Sequence, residues 1–109
     1  MTELSLAAMR RVDASEAITN DSVVPYYLAD RKLRISVARV DGRLYAFDDL
    51  CTHRQCPLSS GLLTGTTIMC QCHGSRFDIT TGAVVNGPAT NALHVYEVDE
   101  ADGEIRVRA

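Results

Sequence analysis

Four cysteines and two of the three histidines fall in two short runs, Cys51-Thr52-His53-Arg54-Gln55-Cys56 and Cys70-Gln71-Cys72-His73-Gly74-Ser75. Sixteen residues separate His53 from Cys70. Thiolates and imidazoles are the side chains that bind soft and borderline metals. Two such runs on facing loops can each bring one thiolate and one imidazole to a common point. Zinc is the simplest occupant to consider, but zinc motifs usually group like ligands, as C-x₂₋₄-C and H-x₃₋₅-H. Here each run mixes Cys with His. A thioredoxin-like thiol site needs C-x-x-C beside a βαβ unit, whereas Cys70-Gln71-Cys72 has a single intervening residue. The third histidine, His94, has no cysteine partner and reads as an ordinary surface or core residue beside Val95.

The elements that must position these runs are strands. Leu33, Ile35 and Val37 alternate with Arg34, Ser36 and Ala38, a period of two. Asp41-Gly42 follows as a hairpin turn, because both positions tolerate positive φ. Leu44 to Phe47 then forms the return strand. Ala83 to Val85, Leu93 to Val98 and Glu104 to Val107 read as further strands, with turns at Thr81-Gly82 and Asp102-Gly103. Only Asp13 to Ile18 reads as helical, one or two turns with Asp13 or Ser15 as N-cap. The pattern predicts an all-β fold, an antiparallel barrel or sandwich. Asp48 to Asp78, which holds all four cysteines, fits no strand pattern and is expected to be an ordered, irregular insertion at one end.

Composition sets the bounds. The 109 residues suit one compact domain, residues 1–109, with 46% hydrophobic and 23% charged residues, an ordinary globular balance. With no Trp and two Phe, the core must come mainly from Val, Ile and Leu. The net charge is −3, and the 11 basic residues are scattered without interleaved aromatics, so no nucleic-acid partner is expected. No window approaches the roughly 18 apolar residues of a membrane span, and no secretory signal is visible. The expected compartment is the cytoplasm, with no membrane partner and a monomeric state.

The two runs together, C-x-H and C-x-x-H with this spacer, resemble the signature of Rieske 2Fe-2S proteins. The resemblance extends from about residue 8 to 107. Leu58, Ser59, Gly61 and Leu62 resemble the segment that follows the first ligand pair in Rieske ferredoxins. Gly74-Ser75-Arg76-Phe77-Asp78 and Thr81-Gly82 resemble the segment after the second. Gly87-Pro88-Ala89-Thr90 stands where the family places a loop covering the cluster, followed by Leu93 and Tyr96.

This resemblance implies one 2Fe-2S cluster held by Cys51, His53, Cys70 and His73, in loops at about residues 48–78 of a Rieske-type β-barrel or sandwich. Two thiolates and two neutral imidazoles leave the oxidised core formally neutral, and one electron makes it −1. Four thiolates would take it from −2 to −3. Rieske centres therefore lie near about −150 to +300 mV, against about −400 mV for plant-type ferredoxins. Each imidazole keeps a second ring N–H, made more acidic by a ferric ion, so the potential is expected to fall as pH rises. A potential constant from roughly pH 6 to 11 would count against histidine ligation.

Cys56 and Cys72 match cysteines that form a disulfide in Rieske proteins of the cytochrome bc class; oxygenase-type ferredoxins generally lack both. The resemblance thus implies a Cys56–Cys72 bridge, despite a reducing cytoplasm. Ser75 matches a hydroxyl that donates to a cluster sulfur in high-potential members, and Phe77 stands where those members have a donating Tyr. One donor without the other implies an intermediate potential. Gln71 departs from a frequent Pro, and Pro88 fixes φ in the covering loop.

No nucleophile, general base or mononuclear-iron site is evident, so an electron carrier is expected rather than an enzyme. The resemblance implies a ferredoxin taking single electrons from a flavoprotein reductase to a terminal oxygenase. It would dock briefly at the His53/His73 edge, with Arg54, Gln55 and Arg76 as candidate contacts. Glu97 to Glu104 reads as a solvated acidic hairpin. The alternatives are an electron-transfer subunit of another oxidoreductase complex, favoured by the second cysteine pair, and a zinc-bound interaction module.

Overall fold

A computed structural model describes residues 9–53 and 55–109. Ten strands form two antiparallel sheets. The larger sheet uses β1 (Met9–Ala14), β2 (Ser22–Leu28), β3 (Leu33–Val40), β4 (Arg43–Asp48), β9 (Val95–Ala101) and β10 (Glu104–Arg108), in the order β1-β10-β9-β4-β3-β2. The smaller runs β5 (Leu62–Thr64), β6 (Thr67–Met69), β7 (Arg76–Asp78) and β8 (Val84–Asn86), in that order. The all-β expectation holds.

The β3–β4 hairpin turns at Asp41-Gly42 with φ of 51° and 81°, and the β9–β10 hairpin at Asp102-Gly103 with 54° and 73°. Both dipeptides adopt the doubly left-handed turn that matches strand twist. β3 differs from a half-buried strand, being buried on both faces. Ile35 and Val37 pack with Ile18, Leu28, Ala46, Ile105 and Val107 on one side. Ala38 and Val40 pack on the other with Phe47, Leu58, Ile68, Phe77 and Leu93, between the sheets. Aliphatic residues dominate both cores, and the two phenylalanines, Phe47 and Phe77, are both wholly buried in the second.

Two expectations need correction. Asp13 to Ile18 is not an α-helix: Asp13 and Ala14 belong to β1, and only Ser15–Ala17 makes a single 3₁₀ turn. The Asp13 carboxylate accepts from the Tyr26 hydroxyl at 2.7 Å and from the Ala14 amide at 2.8 Å, so it braces a strand instead of capping a helix. The stretch 48–78 is also not wholly irregular, since it contains β5, β6 and β7. Each is three residues long, too short for alternation to emerge from sequence, and each is held by a partner in the small sheet. β2 escaped notice because of Pro25; it is an edge strand, where a missing N–H costs no ladder bond.

Candidate metal centre

The two ligand runs fold into loops of matching design. In the first, leaving β4, the Cys51 amide donates to the Cys56 carbonyl at 2.9 Å, and the Gln55 amide donates to the Cys51 carbonyl at 2.7 Å. In the second, between β6 and β7, the Cys70 amide donates to Ser75 O at 2.8 Å and the Gly74 amide to Cys70 O at 2.9 Å. The fifth residue of each loop is left-handed, Gln55 at φ 57° and Gly74 at φ 79°. Each loop thus starts from a buried cysteine and turns back on itself, with its histidine two or three residues on.

The loops are joined to each other and to the strands. Cys56 and Cys72 form a disulfide with Cα atoms 6.4 Å apart, bridging 16 positions of sequence. The sulfurs of Cys56, Cys70 and Cys72 lie within 4.8 Å of one another. Gly61, between the Leu58–Ser60 turn and β5, lies so close to β6 that an added Cβ would sit 2.0 Å from the Met69 carbonyl oxygen. Only glycine allows the first loop to approach the strand that feeds Cys70. A third segment closes the site: Thr52 Oγ1 donates to Asn91 O at 2.6 Å, and the Ala89 amide donates to Ser75 Oγ at 3.0 Å.

Cys51 and Cys70 are the free cysteines, both buried and with their thiols facing each other. Burial pushes the Cys70 thiol up, while the Cys72 and His73 amides directed at its sulfur favour the thiolate. The imidazoles of His53 and His73 stand edge to face, with centroids 5.4 Å apart and planes at 87°. His73 is exposed and His53 half-buried. Two sulfurs therefore lie at the buried side of the site and two rings at its outer side.

Whether a metal cluster fits can be judged from His53. Its Nδ1 is buried and has no hydrogen-bond partner among the described residues. A buried polar nitrogen left unpaired costs about 1–3 kcal/mol, a cost that ligation would remove. The disulfide leaves Cys56 and Cys72 without thiolates to offer, so a zinc site drawing on all four cysteines does not fit. The donor set that remains, two thiols and two imidazoles, fits a mixed-ligand iron–sulfur cluster.

The other predicted residues fall as follows. Ser75 is wholly buried; its oxygen accepts from Ala89, which leaves the hydroxyl proton for a second partner. Phe77 pairs with Ile68 across β6–β7 and lies in the core. Pro88 is exposed and follows a cis peptide bond to Gly87. Gln55 and Arg76 are exposed, and Arg54 lies outside the described residues. His94 stacks on Tyr96 with centroids 4.5 Å apart.

Sequence reading missed Asp49. This carboxylate is completely buried two residues before Cys51 and accepts from Ser36 Oγ at 2.6 Å, the Ser59 amide at 2.8 Å and Arg34 Nε. Its own amide donates to Arg34 O, and its carbonyl accepts from Leu58 N. Burial pushes the carboxyl up, but those donors together hold it below its ordinary value. Beside Asp48 in the sequence it looks like half of a solvated acidic pair.

The sequence profile of the Rieske [2Fe-2S] domain matches residues 8–97. The chain is 41% identical over 73 residues to the ferredoxin CarAc of Metapseudomonas resinovorans, covering 67% of this chain and 68% of that one. It is 32% identical over 107 residues to the anthranilate 1,2-dioxygenase ferredoxin subunit of Burkholderia cepacia, covering 98% and 97%. Among solved structures it superposes with a TM-score of 0.87 and 32% identity on a chain of the complex of reduced oxygenase and oxidized ferredoxin in carbazole 1,9a-dioxygenase, covering 92% of both chains.

Proposed function

This chain belongs to the Rieske [2Fe-2S] family, and from that premise we propose that it is the ferredoxin of an oxygenase system, passing single electrons from a flavoprotein reductase to a terminal oxygenase. Its cofactor is a Rieske-type 2Fe-2S cluster, which when bound takes up and releases one electron. The observation that carries the ligand assignment is the convergence of two buried free cysteines and two paired imidazoles, one with a buried unpartnered Nδ1. Cys51 and Cys70 supply the thiolates; His53 and His73 supply the nitrogens.

The residues divide the work. The amides of Cys72 and His73 point at the Cys70 sulfur and stabilise negative charge there. The Ser75 hydroxyl, fixed by Ala89, provides a further donor on the buried side. Both favour the reduced, more negative state. His73, exposed, forms the edge through which electrons enter and leave, with His53 beside it. A small, briefly occupied interface there suits a carrier that must release each partner. No helix among the described residues is long and apolar enough to cross a membrane.

The disulfide favours a second reading, an electron-transfer subunit of another oxidoreductase complex, because paired cysteines at these positions mark the cytochrome bc class. One experiment addresses both. Dithionite-reduced protein should give the rhombic EPR signal of a Rieske cluster, and in a redox titration a potential in the lower part of the Rieske range would support the oxygenase ferredoxin. A potential well above zero would shift the assignment to the complex subunit. Colourless, zinc-containing protein without a signal would overturn both.

A further inference from the structure

The cluster assigned above uses two of the four cysteines, Cys51 and Cys70. The other two, Cys56 and Cys72, are joined to each other on the same loops. Cys72 is exposed and Cys56 half-buried, so a dissolved reductant can reach their bond. Beside it lies the buried Cys70, and the sulfurs of all three are within 4.8 Å of one another. Three sulfurs on one tetrahedral metal, each at about 2.3 Å from it, stand about 3.8 Å apart. Small side-chain rotations bring this trio to that spacing once the disulfide opens.

The loops are held by more than the disulfide. An antiparallel bridge between Leu50 and Pro57 closes the base of the first, and the pair Met69–Arg76 closes the base of the second. Within each loop the leading cysteine is bound to the chain on both its amide and its carbonyl. Asp49 holds the first loop through the Ser36 hydroxyl and the Ser59 amide, and Thr52 Oγ1 ties it to Asn91 O. Opening the disulfide therefore frees two thiols that stay opposite each other and beside Cys70. The amides of Cys72 and His73 are already directed at the Cys70 sulfur and favour its thiolate.

We propose that Cys56, Cys70 and Cys72 form a second metal site, a three-thiolate zinc site that exists only when the disulfide is reduced and that competes with the iron–sulfur cluster for Cys70. Its fourth position faces water beside the exposed Cys72. The disulfide then gates the choice of metal. Closed, it leaves two thiols and two imidazoles, the mixed donor set of the cluster. Open, it adds two thiols to Cys70, a set that suits zinc. The step balances: a dithiol reductant passes two electrons and two protons to the sulfur–sulfur bond and leaves as a disulfide, and zinc then displaces three thiol protons. The inference rests on the cluster reading, because competition for Cys70 requires a cluster there.

Holoprotein incubated with zinc sulfate and a water-soluble phosphine, together and separately, tests the gate. The phosphine takes one oxygen from water as it reduces the disulfide to two thiols. Together the two reagents should bleach the cluster about ten-fold faster than either alone and leave about one zinc per chain. In that product Cys56, Cys70 and Cys72 should react with iodoacetamide about ten-fold more slowly than in reduced chain stripped of both metals, as mapped by mass spectrometry. His73→Ala, which removes a cluster ligand, should show the same protection by zinc. Cys56→Ser/Cys72→Ser should keep a visible cluster yet take up no zinc under phosphine.

Equal alkylation of Cys56 and Cys72 with and without zinc in the native chain would overturn the site, whatever the variants do. Equal zinc uptake without phosphine, or by Cys56→Ser/Cys72→Ser, would overturn the gate by showing that zinc is held elsewhere. Protein without cluster absorption or a Rieske EPR signal before any treatment would sink the cluster reading, while alkylation still decides the zinc site.

Discussion

Asp49 accepts a hydrogen bond from the Ser36 hydroxyl at 2.6 Å, and neither residue exposes any surface. Through this contact the middle of β3 holds the segment that becomes the first ligand loop. The Ser59 amide binds the same carboxylate oxygen, so the loop is held on both flanks. Removing the carboxylate strands three donors, whereas removing the serine hydroxyl strands none. Asp49→Ala should therefore destabilise the holoprotein by about 3 kcal/mol and Ser36→Ala by about 1 kcal/mol in urea unfolding. Equal costs would show that Asp49 is not the hub.

The ligand assignment makes a selective prediction. His73→Ala or Cys70→Ser should abolish the visible absorption and EPR signal of the cluster and lower its iron content, while His94→Ala should retain both. His94 stacks on Tyr96, so its loss touches packing only. A His73→Ala protein with an unchanged signal would defeat the assignment.

The Cys56–Cys72 bridge closes a loop of 16 positions. Loop-closure entropy for such a length is worth about 3 kcal/mol. Cys56→Ser/Cys72→Ser should lower the urea midpoint accordingly and shorten the life of the cluster in air. An unchanged midpoint would mean that the hydrogen bonds within each loop already restrain the chain.

Ser75→Ala tests the tuning of the electron. Losing a donor to sulfur disfavours the reduced state, so the potential should fall by tens of millivolts, read by redox titration. The same change leaves the Ala89 amide without its acceptor, at about 1–2 kcal/mol. Lost stability with an unchanged potential would confine Ser75 to holding the covering loop.

Far from the site, Arg39 binds the Glu100 carboxylate at 2.7 and 3.0 Å, and also the carbonyls of Ser15, Ile18 and Gly42. The Arg39 guanidinium holds the Glu100 carboxyl below its ordinary value. A carboxyl lowered on folding binds protons more readily unfolded, so its contribution is complete above the unfolded value and fades as pH falls through the folded one. Glu100→Gln should be less stable than the native chain at pH 7, and the difference should close below about pH 4. A gap that persists in acid would trace to packing instead of charge.

How much of this was legible in advance depends on how local each feature is. The hairpins at Asp41-Gly42 and Asp102-Gly103 follow from two residues that tolerate left-handed backbone. The ligand runs are equally local, since Cys51 with His53 and Cys70 with His73 need only residue type and short spacing to bring the right donors together. The likeness of those runs to the Rieske signature carried the 2Fe-2S cofactor and the Cys56–Cys72 pairing. The strands of three residues, by contrast, exist only because β5 to β8 pair with one another. The burial of Ser36 and Ala38 needs a second sheet above β3. Asp49 looks like a solvated acid until Ser36 and Arg34, 13 and 15 residues away, converge on it. The sequence by itself determined which atoms can bind a cluster and where the chain can turn. Only the tertiary structure decided which polar groups are buried and which donors converge on them, because those properties belong to contacts between residues far apart in the chain.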